Sequence, residues 1–254
     1  MYKFMFKSIK HKSYHISKMS IPTIISIEGN IGTGKSTLVQ MLKETYKNYS
    51  NVIFLQEPVD MWNTIKDNNG ETILSKFYAD QEKYAFSFQM MAYISRISLL
   101  KKAIKSNPGK IIISERCVLT DRNVFAKMLY DSDKIEEVNY KIYLQWFDEF
   151  IEDIPVSGIV YVCAEPEVSH SRVIKRAREG EEIPLEYLRE CHEYHERWLD
   201  QSNISMITLD GNLDKEYTHA AYMDWIDDVK SFISERSPLK LSTDDIMEYT
   251  ASGF

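Results

Sequence analysis

The stretch Gly29-Asn30-Ile31-Gly32-Thr33-Gly34-Lys35-Ser36 has the G-x-x-x-x-G-K-[ST] form of a phosphate-binding loop, and no other segment constrains the fold as much. Such a loop works between a strand and a helix, because its backbone N–H groups must converge on anionic oxygens while the next helix presents its positive end. The flanks fit. Thr23-Ile24-Ile25-Ser26-Ile27 reads as a β-branched strand, and Leu38, Val39, Met41 and Leu42 recur at helical spacing. The loop therefore predicts a nucleoside triphosphate site, with ATP and Mg²⁺ as the expected cofactors. Lys35 would reach the β- and γ-phosphates, Ser36 would offer a hydroxyl to Mg²⁺, and Thr37 adds a second hydroxyl.

Beyond the loop, short apolar runs alternate with long amphipathic stretches, the pattern of repeated βαβ units. Strands are expected at 23–28, 51–55, 110–114, 158–163 and 204–209. Helices are expected at 35–48, 81–106, 117–130, 135–152, 166–178, 185–200 and 215–233. The fold class is thus α/β, of P-loop kinase type: a five-stranded parallel sheet with helices on both faces and an arginine-rich lid. In an open parallel sheet, ligands sit beyond the carboxyl ends of the strands. Glu57 stands there after strand two, a candidate general base for an attacking hydroxyl. Glu115 and Arg116 close strand three, where Arg116 can bridge phosphates and Glu115 can orient it or help hold Mg²⁺. Asp121 follows. Arg172 and Arg176 share a helix face at i, i+4, with Arg178 in the loop after it, a set suited to clamping a transferring phosphoryl group. Gln89 and Arg96 lie on one face of an otherwise apolar helix and suggest hydrogen bonds to a base.

A net charge of −7 argues against general nucleic-acid binding, and no stretch has the length of a membrane span. Three scattered cysteines imply no disulfide framework. Cys191, His192 and His195 fall on one predicted helix, but the sequence offers no second cluster of ligands to complete a metal site. Residues 1–20 carry Lys and His but no Asp or Glu. They read as a basic extension with the look of a transit peptide, so a cytoplasmic and a mitochondrial location both stay open. The catalytic domain is expected over 21–233, with a polar tail at 234–254.

Read together, Ile27-Glu28-Gly29 through Thr37, Glu57-Pro58-Val59 with Trp62, Phe86-Ser87-Phe88-Gln89, Ser95-Arg96, Glu115-Arg116, Asp121-Arg122 and Ile183-Pro184-Leu185-Glu186-Tyr187-Leu188 occur in an order that resembles the deoxynucleoside kinases of the deoxycytidine/deoxyguanosine kinase type. The resemblance runs from Ile24 to Leu209. It implies transfer of the ATP γ-phosphate to the 5′-hydroxyl of a deoxynucleoside, and a homodimer. It also implies that Glu57 is the base, that Gln89 bonds the acceptor base beside Phe88, Phe125 and Trp62, and that Tyr78 and Glu181 meet at the sugar. The lid is one residue shorter than the family pattern, so Glu179 or Glu182 compete with Glu181 for that role. The charged pair Arg96 and Asp121, with Ala92 leaving room, points to deoxycytidine or a purine deoxynucleoside over thymidine. A thymidylate-type kinase is the alternative, but it would need a cation for the acceptor's phosphate near strand two, and the first arginine in the chain is Arg96. A nucleotide-dependent switch would leave the lid and the Gln89 pocket unused.

Overall fold

The computed structural model describes residues 21–151, 154–178, 181–213 and 218–237. Its centre is β1 (Thr23–Glu28), buried along its whole length. Strand β1 pairs in parallel with β3 (Ile111–Glu115) on one side and with β4 (Gly158–Cys163) on the other. Strands β2 (Val52–Leu55) and β5 (Met206–Asp210) complete the sheet in the order β2-β3-β1-β4-β5. The five expected strands are all present. Because helices cover both faces, the inner strands β1 and β3 are buried along their whole length, polar residues included, whereas edge strand β5 is largely exposed.

Successive β1 residues feed opposite faces. Ile25 and Ile27 pack with Leu38, Val39 and Leu42 of α1 (Lys35–Thr45) and with residues of the last helix, α10 (Thr218–Arg236), among them Trp225, Val229 and Phe232. Ile24 faces the other way, into Tyr93, Ile97 and Leu100 of α4 (Gln81–Ser106) and Tyr143 and Phe147 of α7 (Glu137–Ile151). A third apolar cluster, built from Trp62, Phe77, Phe88 and Leu188, roofs the carboxyl ends of the strands.

The helices differ from expectation in several places. Val59–Trp62 (α2) and Ile73–Ala79 (α3) are helical, where none was foreseen; both are too short for periodicity to reveal. The helix expected over 117–130 is broken into α5 (Val118–Thr120), a π-helical segment Asp121–Ala126 and α6 (Lys127–Asp131). Helix α10 runs to Arg236, three residues into the expected tail. The basic extension 1–20 and residues 238–254 lie outside the described residues. Helices α8 (Pro166–Arg176) and α9 (Leu185–Asp200) flank the lid.

Strand β1 lies where connections leave to opposite sides, so its carboxyl end opens into the sheet's crevice. The turn there is tight. Gly29 sits at φ 142°, and a Cβ on it would lie 2.4 Å from the Val162 carbonyl oxygen of β4. Gly32 sits at φ 87°, with Ser169 O at the same distance from its would-be Cβ. Backbone blocks both positions, so no side-chain rotation could relieve a substitution. Gly29→Ala is expected to lower stability by about 1–3 kcal/mol, measured by urea unfolding, because it adds both a left-handed strain and a displaced β4 carbonyl.

Candidate active site

A cleft of about 700 Å³ opens over the carboxyl ends of β1, β2 and β3. At one end lie Lys35, Ser36 and Thr37 from the loop and the start of α1, with Arg172, Arg176 and Arg178 from the lid. Ile31, Gly32 and Gly34 also line it, but Gly29, Asn30 and Thr33, expected at the ligand, do not. These three build the loop from behind. Asn30 Nδ2 donates to Leu188 O at 2.7 Å, its Oδ1 accepts from Ile31 N at 2.8 Å, and Thr33 Oγ1 donates to Asn30 O at 3.1 Å. Gly29 O accepts from Arg116 Nη1 at 2.5 Å.

Lys35 Nζ donates to Asn30 O. Burial, and then the positive charge of Arg116, bring its pKa down to about 7, against the pull of Glu115 and Glu57. A phosphate arriving here would supply the anion that favours the charged ammonium. Ser36 Oγ donates to Glu115 Oε1 at 2.5 Å. A hydroxyl and a carboxylate side by side are hard oxygen donors that suit Mg²⁺. Arg172, by contrast, is committed to the protein: its guanidinium donates to Gly211 O at 2.7 Å, Leu213 O at 2.9 Å and Thr33 O at 3.4 Å.

The middle of the cleft is a knot of charge. Arg96 donates through Nε to Asp121 Oδ2 at 2.8 Å, through Nη2 to Glu57 Oε1 at 2.8 Å, and through Nη1 to the Glu115 carbonyl at 3.2 Å. Arg116 Nε lies 3.3 Å from the same Glu57 oxygen. Burial would raise the Glu57 carboxyl, but Arg116, then Arg96, then Lys35 outweigh it and hold it at about 2. Asp121 is deeper, and burial wins there: its carboxyl is pushed up to about 6 in spite of Arg96. Arg116 itself sits at φ 62°, a left-handed conformation that a residue other than glycine adopts at some cost.

Thus Arg96 was expected to read a ligand base, yet most of its donors go to Glu57, Asp121 and a backbone carbonyl. Gln89 fits that task better, being buried with an Oε1 that has no partner. Phe88, Ala92, Trp62 and Phe125 line the same chamber. Phe88 stacks on Phe77 with ring centres 4.6 Å apart, and Trp62 Nε1 donates to Ser95 Oγ at 2.9 Å. Phe125 lies 5.1 Å beneath the Arg116 guanidinium. The wider π turn delivers both Asp121 and Phe125 to the cleft wall, a device common at functional sites.

Glu181 faces the cleft with 6% of its side chain exposed, paired with Arg176 and, at 3.7 Å, with Arg178. Burial and then the nearby Glu181 charge push the Tyr78 hydroxyl pKa up. Glu182 is exposed and does not line the cleft, and Glu179 lies outside the described residues. Lining residues missed in the sequence include Phe77, Lys175, Tyr187, Leu213 and Tyr222. Tyr187 stood within a recognised motif without a role, and Phe77 beside Tyr78. Leu213 and Tyr222 carried no signal, since they reach the cleft only through the fold of the chain after β5.

A model of the deoxynucleoside kinase family matches residues 25–234. The chain is 34% identical over 220 residues to the probable deoxycytidine kinase of fowlpox virus (strain NVSL), covering 83% of this chain and 88% of that one. It is 34% identical over 241 residues to the deoxycytidine kinase of Homo sapiens, covering 83% and 90%. With the mitochondrial deoxyguanosine kinase of Xenopus laevis the identity is 30% over 239 residues, covering 83% and 89%.

Removing one partner of a buried ion pair leaves the other uncompensated. Arg96→Met is therefore expected to cost about 3–5 kcal/mol, and adding Asp121→Ala should recover most of it. In the single variant the loss should develop as pH rises above the ordinary carboxyl value of 3.8, because folding must then take up a proton to keep Asp121 neutral or else bury its charge unpaired. Urea titrations at several pH values measure both effects.

Proposed function

The chain belongs to the deoxynucleoside kinase family, and on that premise we propose that its acceptor is deoxycytidine or a purine deoxynucleoside and that Glu57 takes the acceptor's proton. It is an ATP-dependent kinase of nucleotide salvage, and the family match goes against the thymidylate-kinase and switch readings. The relatives named deoxycytidine kinase and deoxyguanosine kinase support the acceptor class.

The observation that carries the proposal is the way Glu57 is held. Arg96 and Arg116 both engage Oε1, and no hydrogen bond from a described residue reaches Oε2, at the junction between phosphate loop and aromatic chamber. Oε2 is thus open to a sugar hydroxyl. In the reaction, the 5′-oxygen forms a bond to the γ-phosphorus, the bond to the ADP oxygen breaks, and the hydroxyl proton passes to Glu57. A carboxylate held at about 2 is a weak base in the resting site. Its first task is to orient the hydroxyl, and it accepts the proton as the new bond forms. Arg116, Arg176 and Arg178 line the same cleft as the loop and would neutralise the transferring group. Ser36 and Glu115 would hold Mg²⁺, which supplies charge neutralisation on the phosphates. Gln89 would bond the base, with Phe88 and Phe125 against its faces, and Tyr78 and Glu181 would meet the sugar. Arg96 acts by positioning Glu57 and Asp121.

The proposed assembly is a homodimer through α4 and α7. On α7, Val138, Ile142, Trp146 and Phe150 recur every four residues and are 38–59% exposed, with Ile94 of α4 also outward. The inner face of the same helix buries Tyr143 and Phe147, so this second apolar stripe is left largely uncovered by the described residues. Among the described residues no helix is long and apolar enough to cross a membrane. For location the proposal remains cytoplasmic or mitochondrial, with 1–20 as an extension and a polar tail after α10.

Radiolabelled phosphate transfer to each of the four deoxynucleosides tests the function. Turnover is expected with deoxycytidine, deoxyadenosine or deoxyguanosine above thymidine, and Glu57→Gln should lower it by about 10²–10⁴-fold while ATP still binds. A thymidine preference would overturn the acceptor assignment. The double change Arg96→Met with Asp121→Ala should slow every acceptor, since Glu57 loses one clamp, yet shift the ratio toward thymidine. Light scattering is expected to report a dimer that Trp146→Asp converts to monomer.

A further inference from the structure

We propose that Cys163, His192 and Glu196 form a binding site for a divalent cation of the zinc class, separate from the catalytic cleft. None of the three lines that cleft. Cys163 ends β4, while His192 and Glu196 lie four residues apart on one face of α9. The sequence left His192 without ligands to join. The packing of α9 beside β4, through Tyr161 and Leu199, brings in the missing thiol. One ligand atom from each of the three residues lies within 4.8 Å of the others.

The three side chains are positioned like ligands. The Tyr161 hydroxyl donates to Glu196 Oε1 at 2.6 Å and fixes the carboxylate from outside, as an outer-shell partner does in metal sites. Cys163 Sγ donates a weak hydrogen bond to the same oxygen at 3.8 Å. His192 Nδ1 is buried without a hydrogen-bond partner, so the imidazole is not committed on that side to the protein. Hydrogen bonds account for Glu196 and Cys163 but leave His192, which converges on them, with a buried Nδ1 that has no partner.

The donor set selects the cation. Sulfur, nitrogen and oxygen together suit a borderline-soft ion and do not suit Mg²⁺. Tetrahedral Zn²⁺, with ligands at about 2.0–2.3 Å, spaces its ligand atoms by roughly 3.3–3.8 Å. Closing from the present spacing takes a shift of about 1 Å shared among the three side chains. Three protein ligands leave a fourth position to water. The thiol loses its proton to solvent as the Cys163–metal bond forms.

Cobalt(II) added to the full-length chain is the direct probe, because a thiolate ligand gives a near-ultraviolet charge-transfer band. The band is expected in the unmodified protein, lost in Cys163→Ser, and shifted to at least tenfold higher cobalt in His192→Gln. Circular dichroism and unaltered kinase activity check that both variants fold. Without any mutation, Zn²⁺ should also protect Cys163 from iodoacetamide where Mg²⁺ does not, read by peptide mass spectrometry; Cys117 and Cys191 are buried and serve as internal controls. A cobalt band unchanged by Cys163→Ser, or Cys163 alkylated equally with and without Zn²⁺, would overturn the proposal.

Discussion

Two guanidinium groups and two carboxylates, withdrawn almost wholly from water, form the interaction on which the rest of the molecule depends. Arg96, Arg116 and Asp121 are each at most 4% exposed, and only Glu57, at 22% of its side chain, reaches the open cleft. Taking ions out of water costs several kcal/mol each, and their mutual attraction rarely returns more than that. A core this size could have been filled with apolar side chains at lower cost. The set is better understood as a device for holding one carboxylate, in one orientation and one charge state, beside a phosphate loop.

The fold exists to bring those four groups together from distant parts of the chain. Glu57 follows β2, Arg116 follows β3, Arg96 stands on α4, and Asp121 opens the π segment. Glu28 completes the frame at the end of β1, fully buried, accepting from Ser26 Oγ, Thr120 Oγ1 and the Cys117 backbone N–H. It ties the floor of the phosphate loop to the segment that carries Asp121. Parallel strands in register bring their carboxyl ends to one edge, so a charge placed after each strand is delivered to one place without long loops.

Much of this was legible in the residues. The strands were readable because doubly covered strands leave uninterrupted runs such as Ile111-Ile112-Ile113, and the phosphate loop because its spacing is fixed by the phosphate chain. Glu57, Glu115 and Arg116 could be found from their place after those runs. What stayed hidden was partnership. That Arg96 spends its donors on Glu57 and Asp121, leaving Gln89 as the uncommitted polar group, depends on distances between elements that no local pattern encodes. The π turn was also invisible, since its composition differs little from that of an α-helix. Likewise Asn30 and Thr33 sit inside the motif but do not line the cleft and instead brace the loop from behind.

Arg172 gives the lid a fixed pivot. By grasping three backbone carbonyls, two of them in the turn after β5, it fastens the middle of α8 to the body of the protein. Arg176 and Arg178 stand beyond that anchor, in the last turn of the helix and just after it. The lever is short. A short lever would carry two charges across a small arc and order few residues, so closing over a triphosphate would cost little conformational entropy.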